Sequence, residues 1–402
     1  MMTEIKPIFS SLLRSRAGAV LLIVQIALTL AIVSNAAFMI NDRIAYLNQP
    51  TGYEEADIFK FNVTTFGKNI DLVQQFELDE AAIRAIPGVV NAVMTNQVPI
   101  SGSGDSTGFA LKPRSEPAPS VRSSYFMGDE HFSDALGVKI IAGRDFNRDD
   151  VIMSNNYSKL PTVALVSKQF AEDMFADKSG LGEVIYYGDN PLTVIGILDH
   201  MTGPWLSDSK PNNVVVFPFA IGQTIRKFIV RTEPGMRDEV MSKIEDLMLS
   251  LESQRVITDL TGLDEKKADY VAQDRLMMNM LVMLSVILIV VTALGIFGLT
   301  LFNISKRTKQ IGTRRALGAK KSDIINYFLL ENGLISCIGL VVGAVFAILL
   351  GKQLMTLYSL PQLNTWFVIV TALFILTMSL LAVYAPAKRA ANISPSIATR
   401  SV

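Results

Sequence analysis

The sequence has little cysteine and histidine, and its charges cancel. It contains 402 residues with one cysteine, two histidines, 37 basic residues and 37 acidic residues. The lone cysteine, Cys337, cannot form a disulfide within the chain, so an extracytoplasmic domain would fold without one. His131 and His200 lie in no His-Glu-x2-His or Cys/His pattern, which argues against a zinc site. The balanced charge gives no basis for attraction to nucleic acid.

The sequence also lacks charge in its four longest apolar segments. Each is long enough to cross a bilayer, which takes about 20 residues. None contains Asp, Glu, Lys, Arg or His, so an ion-coupled carrier is disfavoured, because such carriers place ionisable groups inside the membrane. The predicted transmembrane helices cover residues 17–40, 276–302, 333–351 and 366–384. We expect the first to be retained, since its apolar run exceeds the roughly 7–15 residues of a signal peptide.

Basic residues at the ends of these segments predict the orientation of the chain. Lysine and arginine accumulate on the cytoplasmic side of a membrane. They precede the first span, follow the fourth and recur between the second and third, whereas residues 352–365 contain only Lys352. The N-terminus (1–16), the loop 303–332 and the tail 385–402 are therefore predicted to be cytoplasmic. Residues 41–275 and 352–365 are predicted to lie outside.

The outer segment, residues 41–275, reads as a mixed α/β domain with two lobes. Short apolar or alternating runs predict strands at residues 89–94, 162–166, 192–198, 214–217 and 227–231. Helical patterns predict helices at residues 77–86, 168–175 and 236–251. A loop rich in Ser, Gly and Pro at 99–119 is predicted to separate the lobes, with the central lobe at about 120–210.

One further helix is predicted to be unusually long. Residues 263–309 contain no proline, and their only glycines are Gly295 and Gly298. A continuous helix of this length would reach about 70 Å, more than twice the thickness of the hydrocarbon layer. We interpret it as a stalk that includes the second span and extends out of the membrane. A shorter linker helix that ends before the membrane is the alternative.

The cytoplasmic loop carries a distinctive sequence. Residues 306–325 read KRTKQIGTRRALGAKKSDII, and residues 328–331, at the start of the third span, read FLLE. Gly312 and Gly318 are predicted to bound a short helix that protrudes from the membrane. No phosphate-binding loop is present here, because five residues rather than four separate these glycines and Ala319 precedes the lysine.

This loop closely resembles the signature of FtsX-like permeases. The ending PAKRAA…PSIA at 386–398 is similar to the end of that family, and AGRDF at 142–146 with VALVS at 163–167 resembles a MacB-like periplasmic core domain. The resemblance covers nearly the whole chain. It implies a MacB/FtsX-type ABC transporter permease with four transmembrane helices and a large, two-lobed periplasmic domain between the first and second.

The resemblance also implies a site. The loop would hold the coupling helix, which docks into a separate ATPase, and Glu331 would mark the start of the third span. The residues assigned to the coupling helix are Ile311, Gly312, Arg314, Arg315, Ala316, Leu317, Gly318, Ala319, Lys320, Asp323 and Ile324. The sequence departs from the family at Gln310, where many relatives have glutamate, and a neutral glutamine cannot form the salt bridge that such an acid would make.

The implied function is to couple ATP hydrolysis by a partner to movement of the periplasmic domain. MacB carries its ATPase fused in front, and because no such domain occurs in this sequence, we expect ATP and Mg²⁺ on a separate subunit and no catalysis or cofactor on this chain. Expected partners are a second permease, as homodimer or heterodimer, membrane lipid, a periplasmic adaptor and an outer-membrane channel. The location would be the bacterial inner membrane and the cargo a peptide, toxin or antibiotic-like molecule. The alternatives are lipoprotein extraction and FtsX-like regulation of cell-wall hydrolases.

Overall fold

The structure is a computed structural model that describes residues 16–67, 70–157, 159–176, 179–358 and 363–393. The chain divides into two compact units. Residues 1–45 and 274–402 form what we call the membrane unit, and residues 46–273 form the outer unit.

Besides two short 3-10 helices at Glu55–Asp57 and Arg148–Asp150, nine α-helices are defined in the described ranges. They are α1 (Arg16–Leu47), α2 (Leu72–Arg84), α3 (Phe132–Leu136), α4 (Lys168–Phe175), α5 (Arg237–Leu251), α6 (Leu263–Lys306), α7 (Thr308–Ala316), α8 (Lys321–Tyr358) and α9 (Thr365–Ala391). Four of them, α1, α6, α8 and α9, are long and apolar enough to cross a membrane. The predicted architecture, four apolar helices with an α/β domain between the first and second, is confirmed. The membrane boundaries stay predictions, since helix ends do not mark where lipid begins.

The long stalk helix is present, although its predicted end is wrong. Helix α6 runs for 44 residues without interruption and stops at Lys306 rather than Lys309. The next residue, Arg307, has φ −107° and ψ 12°, after which α7 begins as a separate helix. The sequence alone did not reveal this break, because neither proline nor glycine marks it.

The outer unit contains two sheets. Their strands are β1 (Ile58–Thr65), β2 (Val89–Thr95), β3 (Ser106–Ala110), β4 (Ser120–Gly128), β5 (Ile140–Gly143), β6 (Ile152–Ser154), β7 (Val163–Ser167), β8 (Val184–Tyr187), β9 (Asn190–Leu198), β10 (Val214–Ile221), β11 (Ile225–Thr232) and β12 (Arg255–Gly262). The first sheet is antiparallel in the order β12-β1-β11-β2. The second sheet contains six strands in the order β4-β3-β8-β9-β7-β10, and it closes into a ring because β10 also pairs with β4. Two short strands are attached to this ring, β5 to β9 and β6 to β10.

Strand β10 holds the second sheet to the rest of the outer unit. All eight of its residues are buried. Val214 and Val216 belong to one apolar cluster, whereas Val215 and Phe217 belong to another. Because successive side chains of a strand point to opposite faces, β10 has a core on both sides. This explains its nearly continuous apolar sequence, which is typical of a strand buried on both faces.

The predicted strands and helices of the outer unit all lie in or next to observed ones, but the 99–119 segment is not wholly a loop. Residues Ser106–Ala110 form strand β3 between β4 and β8. Phe109 explains why: its side chain is fully buried, and its ring centroid lies 5.8 Å from that of Phe170. The high content of Ser and Gly around Phe109 concealed the strand.

A pair of glycines four residues apart brings α8 close to α1 within the same chain. A Cβ added at Gly339 would lie 3.0 Å from the Ile26 side chain, and one at Gly343 would lie 2.9 Å from Ala27 Cα and O. Nearby, Asn35 Nδ2 donates to the Ala347 carbonyl at 3.0 Å. Glycines at this spacing can serve either packing within one chain or dimerisation of two chains. The close approach is observed within the chain.

Replacing Gly343 by alanine should destabilise the membrane unit, because the new methyl group would overlap backbone atoms of α1. Overpacking of this kind costs about 1–3 kcal/mol. Gly298→Ala is the matched control, since a Cβ there meets no atom within 4 Å, and alanine favours a helix by about 1 kcal/mol. Thermal unfolding of the purified full chain in detergent should therefore show a lower midpoint for Gly343→Ala and no loss for Gly298→Ala. Equal midpoints would contradict the packing.

Candidate coupling site

The loop between the second and third spans forms two helices joined by a tight turn. Helix α7 begins directly after Arg307, and the chain leaves it through Leu317 and Gly318 before α8 begins at Lys321. Gly318 has φ +97° and donates its N–H to the Arg315 carbonyl at 3.2 Å. Ala319 donates to the Arg314 carbonyl at 3.1 Å. These two bonds make a Schellman turn, in which the left-handed position favours glycine.

Gly312 has a different role from the one predicted. It lies within α7 and is buried, so the interpretation that it bounds the helix is wrong. On the other side of the turn, Asp323 accepts a hydrogen bond from the Lys320 N–H at 2.9 Å, which caps the start of α8. The turn between α7 and α8 is therefore fixed by hydrogen bonds on both of its sides.

The inner face of this hairpin is a packed apolar joint. Ile311, Ile324 and Phe328 are each at most 5% exposed. They belong to one buried cluster that also contains Ile304 of α6 and, from α9, Val383, Ala387, Ala390 and Ala391. The cluster thus joins the end of α6, α7, the start of α8 and the end of α9. A displacement of α7 would disturb the packing of all three longer helices.

An ion pair between a half-buried arginine and a buried glutamate crosses the same joint. Arg307 Nη1 lies 3.0 Å from both carboxylate oxygens of Glu331 and 3.3 Å from the Tyr327 hydroxyl. Glu331 is only 5% exposed. The guanidinium carbon of Arg314 stands 4.9 Å from the centre of the Tyr327 ring, at cation–π distance. Two arginines, one before α7 and one within it, therefore contact the first three turns of α8.

The outer face of the hairpin is polar except at its tip. Leu317 is 84% exposed, and the other exposed residues of the predicted site are Arg314, Ala316, Gly318, Lys320 and Asp323. Arg315 and Ala319 are half-buried, and Arg315 Nη1 donates to the Ala319 carbonyl at 2.9 Å. The structure thus divides the predicted residues into two groups. Ile311, Gly312, Ile324 and Glu331 face inward and hold the joint, while the exposed group is accessible to another protein.

Gln310 lies beside both arginines. It is exposed and lines a small cleft together with Arg307, Arg314 and Tyr327. A glutamate at this position would face two guanidinium groups, whereas glutamine adds no charge. Glu331 is consequently the carboxylate that pairs with Arg307 in the described part of this chain.

Two other groups in the outer unit have the composition of a chemical site. Asp129, Glu130 and His131 hold their ligand atoms within 4.8 Å of one another. They have protein contacts: Asp129 accepts from the His131 N–H at 2.9 Å, and Glu130 pairs with Arg148 at 3.6 Å. Residues 104–108 read GDSTG, the spacing of a serine nucleophile turn, but Ser106 starts strand β3 rather than standing between a strand and a helix.

Comparison with known proteins matches the outer domain and the C-terminal membrane helices to two separate family models. A family model of the MacB-like periplasmic core domain matches residues 17–247, and one of the FtsX-like permease C-terminal region matches residues 282–395. The macrolide export ATP-binding/permease protein MacB of Campylobacter jejuni (strain 81-176) is 28% identical over 273 residues, covering 64% of this chain and 41% of that protein. The uncharacterised ABC transporter permease YknZ of Bacillus subtilis is 24% identical over 280 residues, with 68% of each chain covered. The chain spans about two fifths of the length of the MacB proteins it matches.

Solved structures were matched as well. The periplasmic region of MacB from Actinobacillus actinomycetemcomitans is 16% identical, with a TM-score of 0.34 over 52% of this chain and 91% of that one. The extracellular domain of the transporter YknZ is 15% identical, with a TM-score of 0.33 over 50% of this chain and 100% of that one. The assignment rests on the two family models, of which the periplasmic one alone covers more than half of the sequence. The chain belongs to the MacB/FtsX-type family of ABC transporter permeases.

Proposed function

We propose that this chain is a permease subunit that receives motion from a separate ABC ATPase at the tip of the α7–α8 hairpin. The observation that supports this most directly is Leu317, which is 84% exposed on a turn held by hydrogen bonds. We call Leu317 and its exposed neighbours Arg314, Ala316, Gly318 and Lys320 the docking surface. Scattered exposed leucines are ordinary. Leu317, however, lies between the cations Arg314 and Lys320. An apolar side chain flanked by positive charge is complementary to an apolar groove with an acidic rim.

The proposed mechanism follows the contacts inward from this surface. ATP and Mg²⁺ bind to the ATPase, whose closure displaces the docking surface. The buried cluster around Ile311 and Phe328 passes the displacement to the end of α6. Helix α6 then continues without a break to Leu263, where the chain enters strand β12. The permease performs no hydrolysis itself and holds no cofactor in this scheme.

We further propose that the chain acts in a bacterial inner membrane with a second permease, as homodimer or heterodimer. The cargo in this proposal is a peptide, toxin or antibiotic-like molecule, exported with the help of a periplasmic adaptor and an outer-membrane channel. The exported class is suggested by the name of the relative MacB, a macrolide export protein. Lipoprotein extraction and regulation of a cell-wall hydrolase are the alternative uses of the same motion.

Leu317→Asp should abolish ATPase binding without unfolding the chain. A central anchor of an interface contributes about 2 kcal/mol or more, which corresponds to a loss of about 30-fold or more in affinity. The full chain would be purified from its native host in mild detergent, and the ATP hydrolysis that co-purifies would be measured. Leu111→Asp is the control, because Leu111 is also an exposed leucine (48%) but lies in the outer unit. A wild-type chain that carries no ATPase, or a Leu317→Asp variant that keeps it, would refute the proposal.

A further inference from the structure

Arg307 occupies a mechanically important place, the single residue between two helices. Helix α6 ends at Lys306 and α7 begins at Thr308. The backbone of Arg307 is not helical, and its N–H donates to the carbonyls of Asn303 at 3.2 Å and Ile304 at 3.1 Å. A residue at the end of a helix is where a change of direction is most easily absorbed. Unless something restrains α7, a push on its far end would swivel it at Arg307.

The side chain of Arg307 supplies such a restraint. It reaches 24 residues along the sequence to Glu331, with 3.0 Å from Nη1 to each carboxylate oxygen, and it also contacts the Tyr327 hydroxyl. The Arg307 side chain is 18% exposed and that of Glu331 is 7% exposed. Removing either partner would leave the other charge poorly solvated, which is a strongly unfavourable outcome for a buried pair. The ion pair thus fixes the pivot of α7 to α8.

The other arginine contact on the same tyrosine is weaker. Arg314, seven positions further along the chain, stands over the Tyr327 ring at 4.9 Å and is exposed. An exposed cation–π contact contributes less than a buried, hydrogen-bonded charge pair. Gln310, which lies between the two arginines, carries no charge that would draw Arg307 away from Glu331. The restraint on the pivot therefore depends mainly on Arg307 and Glu331.

From these contacts we propose that Arg307 is a positioning residue whose ion pair with Glu331 makes α7 move together with the ends of α6 and α8. This inference rests on the proposed function, because it concerns how motion received at the docking surface reaches α6. With the ion pair intact, displacement of Leu317 drives the end of α6. Without it, α7 is held by the buried cluster around Ile311 alone. It then swivels more freely at residue 307 and most of the displacement is lost, although the docking surface itself remains and still binds the ATPase.

The test separates binding from transmission. The full chain, purified with its bound ATPase, would be studied as wild type, Arg307→Ala, Arg307→Lys and the swapped pair Arg307→Glu with Glu331→Arg. Lys309→Ala is the matched control, since Lys309 is a nearby exposed cation for which no ion pair appears within the described residues. The amount of bound ATPase gives the binding. The ATP-dependent change in amide hydrogen exchange across residues 263–306 gives the transmission.

We expect Arg307→Ala to keep its ATPase within about twofold but to lose about tenfold of the ATP-dependent exchange change, which corresponds to about 1.4 kcal/mol, because α7 is then freer to move relative to α6 and α8. The swapped pair should recover at least part of this change. Arg307→Lys should fall in between, because lysine cannot reproduce the planar geometry of the guanidinium. Lys309→Ala should behave as wild type.

The possible outcomes identify which idea fails. A wild-type chain without bound ATPase would refute the proposed function and this inference with it. ATPase bound to all variants, with an undiminished exchange change in Arg307→Ala, would overturn the inference alone. Loss of the change in Lys309→Ala to the same degree would also overturn it, because the effect would then reflect positive charge rather than the ion pair.

Discussion

Replacing Asp79 by alanine should lower the free energy of unfolding of the outer unit by about 3–5 kcal/mol, the usual cost of breaking a buried ion pair. Asp79 is fully buried on α2, and its two carboxylate oxygens lie 2.9 and 2.7 Å from Arg255 Nη1 on β12. Arg226 on β11 is also buried and lies 3.9 Å away. The substitution would leave two guanidinium groups inside the unit without their carboxylate, so the cost exceeds that of losing one contact.

Tryptophan fluorescence can report this unfolding. The sequence contains two tryptophans, Trp205 and Trp366. Trp205 lies in the outer unit and donates to the Gly102 carbonyl at 3.0 Å. Urea titration of the full chain in a Trp366→Phe background would therefore follow the outer unit. Glu239→Ala, which removes an exposed pair with Lys243, should cost at most about 0.5 kcal/mol. A loss below about 1 kcal/mol for Asp79→Ala would contradict the assigned role.

Glu80→Gln should make the protein progressively more stable than wild type as the pH rises above the ordinary range of a glutamate. Glu80 is 1% exposed, and its carboxyl group lies beside that of Asp129, which is 2% exposed. Burial raises the pKa of Glu80 well above 4.5, and the neighbouring Asp129 raises this pKa further. Arg84, 2.9 Å from Glu80 Oε2, and the Met94 N–H lower the pKa only in part.

The sign of the effect follows from proton binding. Above pH 4.5 the unfolded chain releases the Glu80 proton, whereas the folded chain keeps it until the pH reaches the raised pKa. Over that window the Glu80 contribution to the free energy of unfolding falls by about 1.4 kcal/mol per pH unit. Glutamine does not titrate, so the thermal midpoint of Glu80→Gln minus that of wild type should grow as the pH rises from about 5 toward the raised pKa. Parallel pH profiles for the two proteins would show that Glu80 is ionised in the folded chain.

The membrane helices were predictable because the bilayer imposes a simple rule. A helix that faces lipid must be apolar over its whole span, so the charge-free runs indicated α1, α6, α8 and α9 from local composition alone. Strand β10 of the outer unit, which was also predicted, is similarly apolar along its length. In both cases every residue of the segment has apolar surroundings, either lipid or protein core, so the local sequence is apolar throughout.

Strands β1 and β12 escaped prediction because their buried charges find partners far away in the sequence. Lys60 lies in the middle of β1 and is 2% exposed, and it pairs with Asp259 on β12. Burial lowers the pKa of Lys60 to about 8. Arg255, at the start of β12, is buried against Asp79. A lysine or arginine in a short run argues against a core strand until its counterion is known, and no local pattern reveals the counterion.

The candidate site, too, was predicted in part from the sequence and in part only seen in the structure. The sequence motif marked the correct segment, and Gly318 was correctly seen as a turn. Which residues face inward was not predictable, because that depends on packing against α9, far along the chain. The pairing of Arg307 with Glu331 also needed the structure. Its only trace in the sequence was the acid at the start of the third span.

The ring of six strands in the outer unit limits the ways in which another protein can bind to it. Within the described residues, each strand of the ring has a neighbour on both sides, so the ring has no strand with a wholly unpaired side, apart from the short attached strands β5 and β6. A protein that binds by adding a strand needs such an edge. On the described residues the long edges are β12 and β2 of the other sheet. Binders raised against the ring should therefore contact it through side chains. Peptides that bind by adding a strand should pair with an edge of the four-stranded sheet.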